Sequence, residues 1–195
     1  MIIKNVMLAT HSRQFFEIVY NFRNGEATLR QFINLVDTMG NAFPTEEEQN
    51  KFKGDCLEIL AEIFFKAFQN DPSVGLKDYT PVSIENDFGV DATGINANNQ
   101  KVAVQVKYRH NPNDLVLYEE IAKTYASGEL MLDLNLKQAN SIYVFTTAIG
   151  LTPACQKVFG NKIKLINIDI IGDYIRNNTN FWNFAYEEVF NYLNQ

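Results

Sequence analysis

Asp91, Gln105 and Lys107 offer a carboxylate, an amide oxygen and an ammonium within one stretch of extended chain. Gln105 and Lys107 are two apart, so a strand puts both on one face. If the Asn98-Asn99 dipeptide turns a hairpin, Asp91 falls beside that same strand end. Such a set suits hydrolysis of a phosphodiester. A hard divalent cation takes oxygen ligands, commonly one or two carboxylates with waters. It neutralises the scissile phosphate and acidifies a bound water. A lysine alongside can help orient that water and stabilise the developing charge. Glu58, on the helix expected before these strands, is placed to complete the site. Glu62, one helical turn on, offers the same group on the same face. Asp87 competes with Asp91, and Glu85 reads as an exposed strand end. His110 reads as a loop residue that reaches a phosphate or nothing, and His11 receives no role.

The elements that must position these groups follow from hydrophobic spacing. Phe15, Phe16, Ile18, Val19 and Phe22 cluster on one helical face. Leu29, Phe32, Ile33, Val36 and Met39 form a second, with Gly25 between them. Thr45 followed by Glu48 is a capping box, and it opens a helix expected to run to about Gln69. Gly54 within it costs about 1 kcal/mol relative to alanine, so a local reason or a break is expected there. Strands are expected at Val82–Glu85, Val90–Asn96 and Lys101–Tyr108, and Pro112 breaks the chain. A helix over Leu115–Leu134, capped by Asn113 or Asp114, and a strand over Ser141–Thr146 follow. Thr152-Pro153 opens a short helix. A strand over Lys164–Ile168 and two last helices, capped by Asp169 and Thr179, end the chain. Strands with helices on both sides imply an α/β fold, a mixed β-sheet flanked by helices, with an N-terminal helical extension. The expected organisation is a helical accessory segment, residues 1–44, before a domain over residues 45–195. The accessory helices serve substrate selection or dimer formation, or they pack on the core.

Bulk properties narrow the function classes. Hydrophobic residues make up 46% of the 195, enough for a genuine core. The formal net charge of −6 argues against a coat protein that holds nucleic acid by bulk positive charge, but leaves room for a local basic cleft. Lys101, Tyr108, Arg109, His110 and Lys123 are the candidate nucleic-acid contacts, with Tyr118 nearby. The two cysteines, Cys56 and Cys155, lie far apart and suggest neither a zinc site nor a disulfide. No signal peptide or membrane-length apolar run is recognisable, so a cytoplasmic location is expected.

The ordered motifs resemble the PD-(D/E)XK nuclease superfamily, most closely its Mrr-like restriction-endonuclease branch. The resemblance is carried by Gly54 and Glu58 on the first core helix, by Gly89-Val90-Asp91, and by Gln105-Val106-Lys107-Tyr108-Arg109. Phe145-Thr146-Thr147 and Ile168-Asp169-Ile170 fit its second half, so the similarity spans roughly residues 45–178. It favours Glu58 over Glu62 through the spacing from Gly54. It implies a restriction-endonuclease-like domain using Mg2+, with Mn2+ as substitute. Asp91, Gln105 and Glu58 would hold the metal, and Lys107 would assist catalysis. DNA is the implied partner, with a homodimer as a second, in a restriction, phage or mobile-element setting. The superfamily more often carries a carboxylate where this chain has Gln105, whereas the Mrr-like branch also uses Gln. Alternatives are a nuclease acting on RNA or structured DNA, or an inactive nucleic-acid-binding module on the same fold.

Overall fold

The computed structural model describes residues 6–23, 25, 27–82, 89–111 and 113–194. They group into two compact units, Phe64–Ile168 and the combination of Met1–Ile63 with Asp169–Gln195.

The Phe64–Ile168 unit is built on a five-stranded sheet. Its strands are β1 (Leu76–Pro81), β2 (Ala92–Asn96), β3 (Lys101–Lys107), β5 (Ile142–Thr146) and β7 (Ile163–Ile166), in the order β1-β2-β3-β5-β7. The first three form an antiparallel meander, and β3, β5 and β7 run parallel. The turn between β2 and β3 uses Asn99 at φ 58°, a conformation asparagine tolerates. Parallel neighbours need crossovers. The first carries β4 (Leu115–Val116) and α4 (Tyr118–Met131), and the second carries β6 (Gly150–Leu151) and α5 (Pro153–Phe159). β4 and β6 pair as a separate two-stranded ribbon.

Two faces of the sheet are packed. Ala103, Ile142, Val144 and Ile163 share a buried cluster with Ile121 of α4 and with Cys155 and Phe159 of α5. Tyr143 and Phe145 alternate to the other side, where Phe145 meets Phe64 and Phe65. β3 is buried from Val102 to Val106 because it is the central strand, covered on both sides.

In the other unit, α1 (Val6–Phe22), α2 (Leu29–Gly40), most of α3 (Glu46–Ala67), α6 (Ile168–Asn177) and α7 (Phe181–Leu193) surround an aromatic core. The Thr45–Glu48 capping box forms, with the Glu48 amide donating to Thr45 Oγ1 at 3.2 Å and Thr45 Oγ1 donating to Glu48 at 2.8 Å. α3 runs unbroken through Gly54, where an added Cβ would meet open space. Trp182 donates its indole N–H to Ala27 O at 2.6 Å, stacks on Phe32 and meets Phe22 edge-on. Phe15, Ile18, Val19, Phe32 and Val36 are fully buried.

Removal of residues 1–44 is therefore expected to unfold this unit. Truncating even one buried aromatic costs about 3–5 kcal/mol, and whole domains are stable by only about 5–15 kcal/mol. Circular dichroism and soluble yield of the 45–195 fragment check this. A soluble fragment with native helix content would show that these helices are dispensable.

Several expected elements differ. Of the strand expected at Val82–Glu85 only Val82 is among the described residues, and a strand that was not expected, β1, ends just before it at Pro81. Residues 83–88 lie outside the described part. β1 escapes sequence reading because it is a polar edge strand (Lys77, Asp78, Thr80) with an irregular register and Asp78 at φ 53°. Leu115 and Val116, expected in a helix, pair as β4, so α4 starts at Tyr118 after Leu117 and not after Asn113 or Asp114. Asp169 stands inside the first turn of α6 instead of capping it. The residue before α7 is Asn180, one beyond the expected Thr179.

Candidate active site

Of the candidate residues, Asp91, Gln105 and Lys107 lie where β2 begins and β3 ends. Ala92 sits opposite Val104, and continuing that antiparallel register sets Asp91 opposite Gln105. The Asp91 backbone is held on both sides: its N–H donates to Val104 O at 3.0 Å, and its carbonyl accepts from Val82 N at 2.9 Å. Its carboxylate turns onto β3. Asp91 Oδ2 accepts the Val106 N–H at 2.5 Å and a close hydrogen bond from Gln105 Nε2. Lys107 follows two residues along the Gln105 face, which places its Cα about 7–8 Å from that of Asp91 on the usual diagonal of an antiparallel pair.

Gln105 is 1% exposed. Its Nε2 lies between Asp91 Oδ2 and, at 3.5 Å, the carbonyl oxygen of Val106. Its Oε1 closely accepts from the Thr124 hydroxyl, on the buried face of α4. Thr124 Oγ1 is also 2.8 Å from Gly89 O and 3.1 Å from Glu120 O.

Gly89 opens the segment that carries Asp91. Its φ of +83° is a region L side chains rarely adopt, and a Cβ there would sit 2.8 Å from the aliphatic stem of Lys123. Gly89→Ala is expected to destabilise by about 1–3 kcal/mol, the usual strain of such a backbone. A urea denaturation series checks it, and unchanged stability would mean the turn relaxes freely.

The end of β3 is clamped from β5. Thr146 Oγ1 donates to Lys107 O at 2.7 Å. The hydroxyl of Thr147 donates to Arg109 O at 2.9 Å and accepts the Arg109 N–H at 2.6 Å. The Arg109 guanidinium pairs with Glu120 at 2.5 Å. Its charge is thereby partly neutralised beside the start of α4, where Glu120 also accepts the Leu117 N–H at 2.8 Å. Lys123 is exposed on α4 with its stem against Gly89, near the Asp91 segment. His110 is exposed and Tyr108 half-buried just beyond β3. Lys101 is exposed at the opposite end of β3, about 20 Å away at the rise of an extended strand. The five candidate nucleic-acid contacts thus do not share one end of the sheet, whereas Tyr108, Arg109, His110 and Lys123 do. Tyr118 stacks on Phe159.

Glu58 and Glu62 lie on the part of α3 that belongs to the other unit, Glu58 half-buried and Glu62 buried. The hydrogen bonds of Asp91 and Gln105 to Val104, Val106 and Thr124 join residues of the Phe64–Ile168 unit. Asp87 and Glu85 lie outside the described residues. His11 is buried in the helical unit, its Nδ1 2.7 Å from Asp55 Oδ2, with Lys51 3.0 Å from the same oxygen. Burial pushes the Cys155 thiol up to about 11 and that of Cys56 well above its ordinary value, so neither is a ready thiolate nucleophile at neutral pH.

Among the described residues, no cluster of three or more His, Cys, Asp or Glu side chains gathers. The donor set at the β2–β3 edge is of another kind. The Gln105 NH2 group, carrying partial positive charge, sits between a carboxylate oxygen and a backbone carbonyl oxygen. With the amide oxygen in that place the set would offer a carboxylate, an amide oxygen and a backbone carbonyl, the donor type a hard divalent cation takes. Thr124, Glu120, Thr146 and Thr147 were missed in the sequence. Thr146 and Thr147 stood in the sequence only as part of the Phe145-Thr146-Thr147 motif, without a role, and Thr124 carried no motif at all.

No family model matches this chain, and no curated protein matches it. Among solved structures, the chain is similar to the MspJI restriction endonuclease in complex with a 27-mer oligonucleotide. The similarity is at 14% identity and a TM-score of 0.44, over 87% of this chain and 37% of that one. The chain therefore spans little more than a third of that protein, and a likeness this distant carries no weight for function. Among the described residues, no helix is long and apolar enough to cross a membrane.

Proposed function

We propose that this chain is a metal-dependent endonuclease of the PD-(D/E)XK type, acting on DNA phosphodiester bonds. The observation that carries the reading is the meeting of the Asp91 and Gln105 side chains across the β2–β3 pair, with Lys107 next on the same face. Asp91 and the Gln105 amide oxygen would hold Mg2+, or Mn2+ in its place, and Glu58 is the further ligand proposed from the motif spacing. The metal, when bound, neutralises phosphate charge and supplies a hydroxide-like water at neutral pH. The backbone ladder fixes the Asp91 main chain at the start of β2. Lys107 orients the nucleophile and stabilises charge on the phosphoryl oxygens. Lys123 and His110 contact flanking phosphates, and Arg109, ion-paired with Glu120, contributes less. Residues 1–44 serve the architecture of the helical unit, and a homodimer would place two such centres on two strands.

The test is incubation with supercoiled plasmid, linear duplex, single-stranded DNA and RNA in the presence of Mg2+. Cleavage of the DNA substrates is the expected result. Cleavage of RNA alone would move the substrate class. Binding of DNA without cleavage of any substrate would favour an inactive binding module, a role that the Asp91–Gln105 hydrogen bond would also suit.

A further inference from the structure

We propose that Thr124 is a positioning residue that sets which end of the Gln105 amide faces Asp91, and thereby gates cation entry to the site. The inference rests on the metal-dependent reading above. Its starting point is a mismatch in hydrogen counting. The Thr124 hydroxyl has one hydrogen and stands within hydrogen-bond distance of three acceptors: Gln105 Oε1, Gly89 O at 2.8 Å and Glu120 O at 3.1 Å. With Gln105 Nε2 on Asp91, the Asp91 carboxylate is satisfied and Thr124 is over-subscribed. Rotating the amide by half a turn reverses this. Nε2 then donates to Thr124 Oγ1, the hydroxyl keeps its hydrogen for Gly89 O, and Oε1 joins Asp91 Oδ2.

Two oxygens facing one another repel unless a cation lies between them. The amide therefore has two self-consistent states. In one the NH2 group caps Asp91 and closes the site. In the other the amide oxygen is a ligand and Thr124 is the group that holds it there. A carboxylate at position 105 would need no such rotation, since both its ends are oxygens. Thr124 is 0% exposed, so water cannot easily take its place as the hydrogen-bond partner of the amide.

The experiment is calorimetric titration of Mn2+ into DNA-free protein, wild type and Thr124→Val, Thr124→Ser, Gln105→Glu and Thr124→Val/Gln105→Glu. Side-chain amide resonances of Gln105 are followed in 15N-labelled wild type. Thr124→Val is expected to weaken Mn2+ binding by about 10- to 100-fold, the usual effect of removing a group that orients a metal ligand. Thr124→Ser should restore most of the affinity. In the Gln105→Glu background the same valine substitution should change affinity by no more than about threefold. A merely structural threonine would weaken both backgrounds alike, and that result overturns the proposal. So does a Gln105 NH2 resonance unmoved at saturating Mg2+, the diamagnetic ion used for this arm. Absence of any Mn2+ binding by wild type would instead remove the metal reading itself, and this inference with it. Binding by wild type with no loss in Thr124→Val leaves the metal reading standing and sinks only the gate.

Discussion

Asp91→Ala is expected to abolish plasmid cleavage and to weaken divalent-cation binding together. Asp91 contributes a charged ligand of the proposed site, and Gln105, its neighbour across the ladder, carries no charge with which to compensate. Loss of metal removes both phosphate neutralisation and water activation, contributions of several kcal/mol. At about 1.4 kcal/mol per decade, the rate should fall by at least about 10³-fold. The fold should survive, because the Asp91 backbone bonds to Val104 and Val82 do not depend on its side chain. The cost is the two hydrogen bonds from Val106 N–H and Gln105 Nε2, about 1–3 kcal/mol if those donors are left unpaired. Calorimetry with Mn2+, a gel-based cleavage assay and thermal denaturation read the three quantities separately. Retained metal affinity in a folded variant would displace Asp91 from the ligand set.

Lys107→Ala should give the contrasting pattern, with metal affinity retained and chemistry lost. Its ammonium is no oxygen donor, and the two-residue spacing puts Lys107 on the Gln105 face of β3. Removal of one preorganised electrostatic stabiliser commonly costs about 10²–10³ in rate. The strand end should hold its place, since Thr146 Oγ1 and Thr147 N–H bind the Lys107 carbonyl and not its ammonium. Single-turnover cleavage at saturating Mg2+ is the measurement. A folded Lys107→Ala that cuts DNA at the parental rate removes the catalytic assignment, and an inactive binding module on this fold becomes the better reading.

The parts of the fold that were legible in the sequence are those written as strong local patterns. The Thr45–Glu48 box, the alternating valines of β3 and the Thr152-Pro153 helix start each combine a periodicity with a cap or turn residue. β1 was not legible, because an edge strand need not alternate and Asp78 breaks its register. β4 was not legible either. Leu115 and Val116 continue the apolar spacing of α4, and only their distant pairing with Gly150 and Leu151 makes them extended. Such non-local pairing overrides local spacing.

At the site, the proximity of Asp91 and Gln105 follows from a hairpin whose turn the sequence announces in Asn98-Asn99. The fate of Arg109 does not follow. Its partner Glu120 lies on α4, in the crossover after β3, so the arginine looked available for phosphate when its guanidinium is ion-paired within the protein. Lys101 and Lys107 share a strand, and sequence closeness concealed that they occupy its opposite ends. Thr124 is the clearest loss. A single hydroxyl on a helix carries no motif, and its meaning comes only from the amide and the carbonyls packed around it.

The most direct test of the central claim is the rate at which wild-type protein converts supercoiled plasmid to nicked or linear DNA in Mg2+, compared with the rate after EDTA is added. A metal centre at Asp91 and Gln105 predicts cleavage with Mg2+ or Mn2+ that stops with EDTA and resumes when the metal is restored in excess. Undiminished cleavage in EDTA would contradict it, because the water would then be activated by groups other than those gathered at the β2–β3 edge.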